Sequence, residues 1–301
     1  MAGKWVEPVT LEAPADQVAG IILHQRVQIV LDLLPLAAHH YREDVEHVHR
    51  LRVGCRRASA ALRAFRPLLP HKPKSLLKWL RRIRRAAGPA RDADVLLSRL
   101  KNSTPPGAEA DYVTARLKQH RKAGQKALIG VEARVQSGKL LSTIQECATT
   151  LEDKPSGDRV YFGQFAVTAL WSASCGVFKN AGIKQPTLPQ LHRLRIAGKR
   201  LRYSIEIFHT AFPKELREDI YPLVESIQTR LGKLNDHASA QALFQQWLKN
   251  IPADDRTALL ARLVAEEHEA ALQIRKEFLR WWNPNRIAQL GSQLATLIGK
   301  G

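Results

Sequence analysis

The segment VHRLRVGCRRASAALRAFRPLLP (48–70) carries Arg50, Arg52, Arg56, Arg57, Arg63 and Arg66 and no acidic residue, and a variant of it, LHRLRIAGKRLRYSIEIFHTAFP (191–213), recurs later in the chain. His49, Arg50, Leu51 and Arg52 match His192, Arg193, Leu194 and Arg195; Arg56 and Arg57 match Lys199 and Arg200; Phe65 matches Phe208 and Pro70 matches Pro213, an offset of 143 from His49 to His192. After one inserted residue the agreement resumes, with GPARDADV (88–95) facing GKLNDHAS (232–239). Agreement of this length points to duplication, and so to a chain of two similar halves.

Projected on a helix at about 100° per residue, His49, Arg52, Arg56 and Arg63 fall in a sector about 60° wide, while Leu51, Ala58, Leu62, Phe65 and Leu69 form a separate apolar stripe. One face packs and the other presents cations. In the second copy His192, Arg195, Lys199 and Arg202 share a sector, with Leu194, Leu201, Ile205 and Phe208 as the stripe. Arg50, Arg57, Arg193 and Arg200 project elsewhere. The next segment, KPKSLLKWLRRIRR (72–85), repeats the device, since Lys74, Lys78, Arg81 and Arg85 lie on one side. Solvated helix faces normally mix signs at i, i+4, yet residues 48–91 contain no Asp or Glu. Such a run of one sign is tolerated most readily where a ligand supplies the anions.

The whole chain leans the same way: 47 Lys and Arg against 28 Asp and Glu give a formal net charge of +19, which favours polyanions such as nucleic acid, acidic lipid or polyphosphate. With 301 residues, 45% of them hydrophobic, it can bury one large core or two ordinary ones. Helical apolar spacing dominates and strand-like alternation is scarce, so an all-α fold is expected. Pro- and Gly-containing stretches punctuate it at 66–73, 86–94, 102–109, 152–158, 184–189, 212–215 and 250–255, with Pro35 in or near the first helix. The stretch at 152–158 divides the chain into 1–152 and 153–301, each half holding one basic helix and room for about four helices.

Three cysteines, Cys55, Cys147 and Cys175, are an odd number without metal-type spacing, which argues against a disulfide framework or a zinc site. The start, MAGKWVEPVT, shows no leader pattern, and no stretch approaches the roughly 20 apolar residues of a membrane span. A reducing cytoplasm and no membrane insertion are the expectations.

The paired HRLRV…RR and LHRLRI…KRLRY segments, with RDADVLL (91–97), resemble the CHAD domain, an α-helical domain named for its histidines, over nearly the whole chain. The resemblance implies two four-helix bundles related by pseudo-two-fold symmetry, with basic helices lining a central cavity or groove. It also implies non-catalytic binding of inorganic polyphosphate, association with polyphosphate granules, and no cofactor. On matching positions, His49, Arg52, Arg56 and Arg63 would face the ligand from one half and His192, Arg195, Lys199 and Arg202 from the other. Two departures stand out: Glu206 replaces Arg63, and Glu225 falls near the positions of Arg81 and Arg82, which weakens the second half's share.

A linear polyanion asks for a track of cations, and guanidinium grips phosphate oxygens in bidentate fashion. A phosphate chain offers no bases to stack upon, and Phe65, Trp79 and Phe208 sit where core packing claims them, which favours phosphate over nucleic acid. An enzyme acting on polyphosphate would need an acidic metal-binding set or a P-loop, and no GxxxxGK[ST] occurs. Near polyanion, His49 and His192 would hold a proton more readily than a free imidazole; the alternative is a structural hydrogen bond to a neighbouring helix. His40, Asp44 and His47 share a side of a continuous helix and could be read as metal ligands, but no matching cluster occurs in the second half. Asp92 and Asp236 are expected to cap the helix after the glycine turn or to anchor an arginine. Cys55 and Gly198, like Gly54 and Ala197, are small residues at matched positions, which suits close helix packing rather than reactivity.

Overall fold

Apolar spacings of three and four produce helices throughout the computed structural model, which describes residues 3–69, 74–103, 107–136, 160–250 and 255–299. Among the described residues there are nine α-helices and no strand, beyond an isolated bridge between Pro14 and Tyr161. The expected all-α class is what the chain adopts. It divides into two compact units, Met1–Pro106 with Thr114–Phe165, and Gly107–Val113 with Ala166–Gly301. The boundary expected at 152–153, like Cys147, lies outside the described residues.

In the first unit, α1 (Ala15–His39) packs on α2 (Glu46–Ala64), α2 packs on α3 (Lys74–Ser103), and most of α4 (Ala108–Gln136) belongs here too. Of the stripe foreseen on α2, Leu51, Ala58, Leu62 and Phe65 are fully covered and Leu69 is half-buried; Val27, Leu34, Ile83 and Leu117 from the other helices join this core. Burying each such side chain stabilises the fold by about 1.5–3 kcal/mol before entropy is charged. Phe65 closes this core by stacking on Phe165 with ring centroids 5.7 Å apart. Two polar ties fix α4: Arg121 Nε donates to Asp94 Oδ1 at 2.5 Å, and Gln125 Nε2 donates to the carbonyls of Ala37 at 2.9 Å and Ala38 at 2.6 Å.

On length and composition alone α1 could cross a membrane, contrary to the expectation that no stretch comes near a span. Its Val18, Ile22, Val27, Val30 and Leu34 are buried within the unit.

The glycine–proline stretch at 88–89 was expected to end a helix, yet α3 runs through it without a break. A proline ring removes one ladder bond and crowds the preceding turn; the neighbouring helix α4 packs closely there. A Cβ on Gly124 of α4 would lie 2.6 Å from the Ala90 amide nitrogen and 3.0 Å from Pro89 Cβ, so only glycine allows that approach. Pro35 likewise sits inside α1.

The second unit contains most of α5 (Phe162–Ala181), α6 (Leu188–Phe208), α7 (Tyr221–Leu248), α8 (Asp255–Trp281) and α9 (Pro284–Ile298). The Gln190 side chain accepts from the Thr187 amide at 2.6 Å, and Pro189 sits in the first turn, which together start α6. After Phe208 a short 3-10 turn (His209–Ala211) and a π turn (Leu216–Ile220) lead into α7. α6 packs on α7 and α7 on α8, burying Leu194, Leu201, Ile205, Phe208, Ile227, Leu231, Phe244 and Phe278.

Candidate functional site

With Leu51, Ala58 and Leu62 turned inward, the helical period leaves His49, Arg52 and Arg56 along the other side of α2, where they meet α3. Arg52 is well enclosed, its side chain only 16% exposed. Its Nη1 donates to the Arg84 carbonyl at 3.4 Å, its Nη2 lies 3.9 Å from Asp92 Oδ1, and a Cβ added to Gly88 would come within 3.0 Å of Nη1. Burial, and then Arg56, Arg84 and Arg91, hold the Arg52 pKa below its usual value, with Asp92 opposing them. Arg84 is lowered in the same way, by burial and by Arg56, Arg81 and Arg85. This is a cluster of cations close enough to oppose one another's charge.

His49 stands inside that field. Burial lowers its pKa below 6.5, and Arg91, Arg56 and Arg52 lower it further, against the pull of Glu46. Glu46 in turn accepts from Arg91 Nη1 at 2.7 Å. Burial and the surrounding cations therefore favour the neutral imidazole at His49; an arriving anion would reverse the sign of the field. Burial pushes the Cys55 thiol up to about 12, which makes it a packing residue and not a nucleophile.

Lys74, Lys78, Arg81 and Arg85 are exposed on α3, and their stripe continues along the helix to Gly88 and Asp92, beside Arg52. Arg63 is exposed at the end of α2 and donates back to its own Ser59 carbonyl at 3.3 Å. Arg50 projects to another side and pairs with Asp44.

The second unit arranges its matched residues differently. His192 is exposed, Arg195 and Lys199 are half-buried, and Arg202 Nε lies 3.6 Å from Oε1 of the fully buried Glu206. The Tyr221 hydroxyl donates to Glu206 Oε1 at 2.8 Å and reaches Glu225 Oε1 at 3.3 Å. Burial alone would lower the Arg202 pKa, but Tyr203, Glu206, Tyr221 and Glu225 together raise it. Burial and Glu206 drive the Tyr221 phenol well above its usual range, so it stays a donor. Here the protein supplies its own counter-anions. Gln228 replaces Arg84 in the matched register and donates from Nε2 to the Arg195 carbonyl at 3.0 Å.

The sequence reading passed over Arg84 and Arg91. Arg84 falls off the α3 side that holds Lys74, Lys78, Arg81 and Arg85, and Arg91 lies in a stretch read as a turn; the signal available was their seven-residue spacing, two helical turns on one face. Asp92 and Asp236 lie inside α3 and α7, so neither caps a helix, and Asp92 stands beside an arginine. His40, Asp44 and His47 do not share one helix face. His40 follows the last turn of α1, Asp44 lies in the connection and His47 is in α2, so no continuous helix side joins them; His40 Nδ1 meets Glu43 at 2.9 Å and Asp44 meets Arg50. Among the described residues no group of three or more His, Cys, Asp and Glu side chains could hold a metal ion.

Comparison with known proteins then places the chain. The family model described as CHAD domain matches residues 31–245. The crystal structure of the CHAD domain from the plant Ricinus communis superposes with a TM-score of 0.76 at 20% identity, over 96% of this chain and 94% of that one. PptA from Streptomyces chartreusis superposes with a TM-score of 0.64 at 18% identity, over 90% of this chain and 99% of that one. At these identities the likeness is one of fold. Among curated proteins there is no match. Because the family match spans more than half of the sequence and takes in both basic helices, the chain belongs to the CHAD domain family.

Proposed function

We propose that the protein binds inorganic polyphosphate without transforming it, chiefly through the α2–α3 cation cluster of the first unit. The observation that carries this reading is the mutual crowding of His49, Arg52, Arg56, Arg84 and Arg91, in which Arg52 and Arg84 are held below their usual pKa by burial and by neighbouring cations. Such a cluster is relieved by phosphate oxygens, to which guanidinium donates paired N–H groups. The exposed Lys74, Lys78, Arg81 and Arg85 extend it as a track for a chain of phosphates. Membership of the CHAD family supports the same ligand.

His192, Arg195, Lys199 and Arg202 take the second, weaker share, because Glu206 and Glu225 already stand against Arg202. The protein acts in the cytoplasm, at polyphosphate granules, and needs no cofactor. Replacing Arg52 and Arg195 together by Ala tests the assigned faces. Binding should fall strongly with helicity unchanged, and unchanged affinity would remove the assignment. Incubation with polyphosphate and Mg²⁺ tests the absence of catalysis, which sustained release of phosphate would overturn.

A further inference from the structure

We infer that Gly88 is a positioning residue: its bare backbone is the seat on which the Arg52 guanidinium is held ready for an anion. The inference rests on the polyanion-binding reading above and concerns how the same site is built. Three contacts lie at four-residue intervals along one stripe of α3. Arg52 Nη1 donates to the Arg84 carbonyl at 3.4 Å, a Gly88 Cβ would lie 3.0 Å from the same nitrogen, and Asp92 Oδ1 is 3.9 Å from Nη2. A Cβ at position 88 would press on the guanidinium and require it to give by a few tenths of an ångström, and a larger side chain would compete for the space it occupies.

Glycine is an unfavourable residue inside a helix, so its presence there asks for a reason. In the matched register the second unit has Gly232, and a Cβ built there meets nothing within 4 Å. Residue 88 thus has a reason that residue 232 lacks. The seat also bears on binding, because arginine carries much rotamer freedom, and a side chain already biased toward one place by the Arg84 carbonyl and Asp92 loses less of it when the anion arrives.

The test uses the full chain and long-chain sodium polyphosphate, with Gly88→Leu and Gly232→Leu each made in the wild-type and Arg52→Ala backgrounds. Gly88→Leu should weaken binding by about the same factor as Arg52→Ala, and should cost nothing further once Arg52 is gone. Gly232→Leu should leave affinity unchanged in both backgrounds. Gly88→Ala, the milder change, should keep helicity and give a smaller loss in the same direction. In the ligand-free protein the Arg52 Nε–Hε NMR resonance should move in Gly88→Leu and stay in place in Gly232→Leu. Equal loss from Gly88→Leu in both backgrounds would show that leucine obstructs the anion directly and would overturn the positioning role, as would full affinity in Gly88→Leu. The two readings fail separately: a wild-type chain that ignores polyphosphate removes the proposed function, whereas an Arg52 resonance unmoved by Gly88→Leu removes the seat.

Discussion

The Tyr221 hydroxyl donates to Glu206 Oε1 at 2.8 Å, and the same carboxylate oxygen lies 3.6 Å from Arg202 Nε. Glu206 occupies the position matched to Arg63, so a cation in one basic helix is replaced by an anion in the other. The two copies of the motif are therefore unequal in charge as well as in sequence.

Unequal charge predicts unequal mutational cost. Arg52→Ala should weaken polyphosphate binding about tenfold or more, the value of a charge-assisted hydrogen bond of roughly 1.5–3 kcal/mol. Arg202→Ala should cost a factor of about three at most, because its charge is already met by Glu206. Isothermal titration of the two single variants checks the order, and a larger loss from Arg202→Ala would reverse the assignment of the stronger face.

Glu206→Gln should move stability and affinity in opposite directions. Removing one partner of a buried ion pair destabilises by about 3 kcal/mol, so the midpoint of urea unfolding should fall at unchanged slope. Polyphosphate affinity should rise, since Arg202 then loses one of its two internal anions and keeps only Glu225. A variant that binds more weakly than wild type would contradict this.

Proton uptake should accompany binding at His49. In the free protein its pKa lies below 6.5, through burial and through Arg91 on α3 and Arg56 and Arg52 on α2, against Glu46. Bound phosphate raises it, so the complex holds more protons than the free chain and affinity increases as pH falls through the window between the two values. For folding the sign is opposite: with the folded value depressed, His49 contributes stability above pH 6.5 that is lost as pH falls below it. Titrations in buffers of different ionisation enthalpy measure the uptake. His49→Gln should reduce it, and an identical pH profile in the variant would exclude His49 as its source.

Gly124→Ala should destabilise the first unit by about 1–3 kcal/mol through overpacking, although alanine is the better helix former by about 1 kcal/mol. The added Cβ would meet the Ala90 backbone at 2.6 Å, and neither helix can give way locally. Denaturant unfolding decides it; a variant more stable than wild type would mean that α3 and α4 approach less closely than described.

The features that could be read from the sequence were those written in helical period. Leu51, Leu62 and Phe65 announce the buried stripe of α2 by spacing alone, and all three are fully covered. Gly88–Pro89 was misread because local residues there favour a turn, whereas tertiary contacts decide: Gly124 admits α4 against Pro89, and Arg52 lies over Gly88. That misreading hid Arg91, which a continuous helix brings into the electrostatic range of His49. The charge difference at Glu206 was visible in sequence, but its partner Tyr221 was not, because the π turn before α7 sets where that ring stands.

The most direct measurement is titration of the full chain with long-chain polyphosphate, competed in parallel by single-stranded and double-stranded nucleic acid at about 0.15 M salt, where weak nonspecific attraction is largely screened. Tight binding that nucleic acid fails to displace is the expected result. Equal or tighter binding of nucleic acid would contradict it and would make the faces around Arg52 and Arg195 general polyanion surfaces.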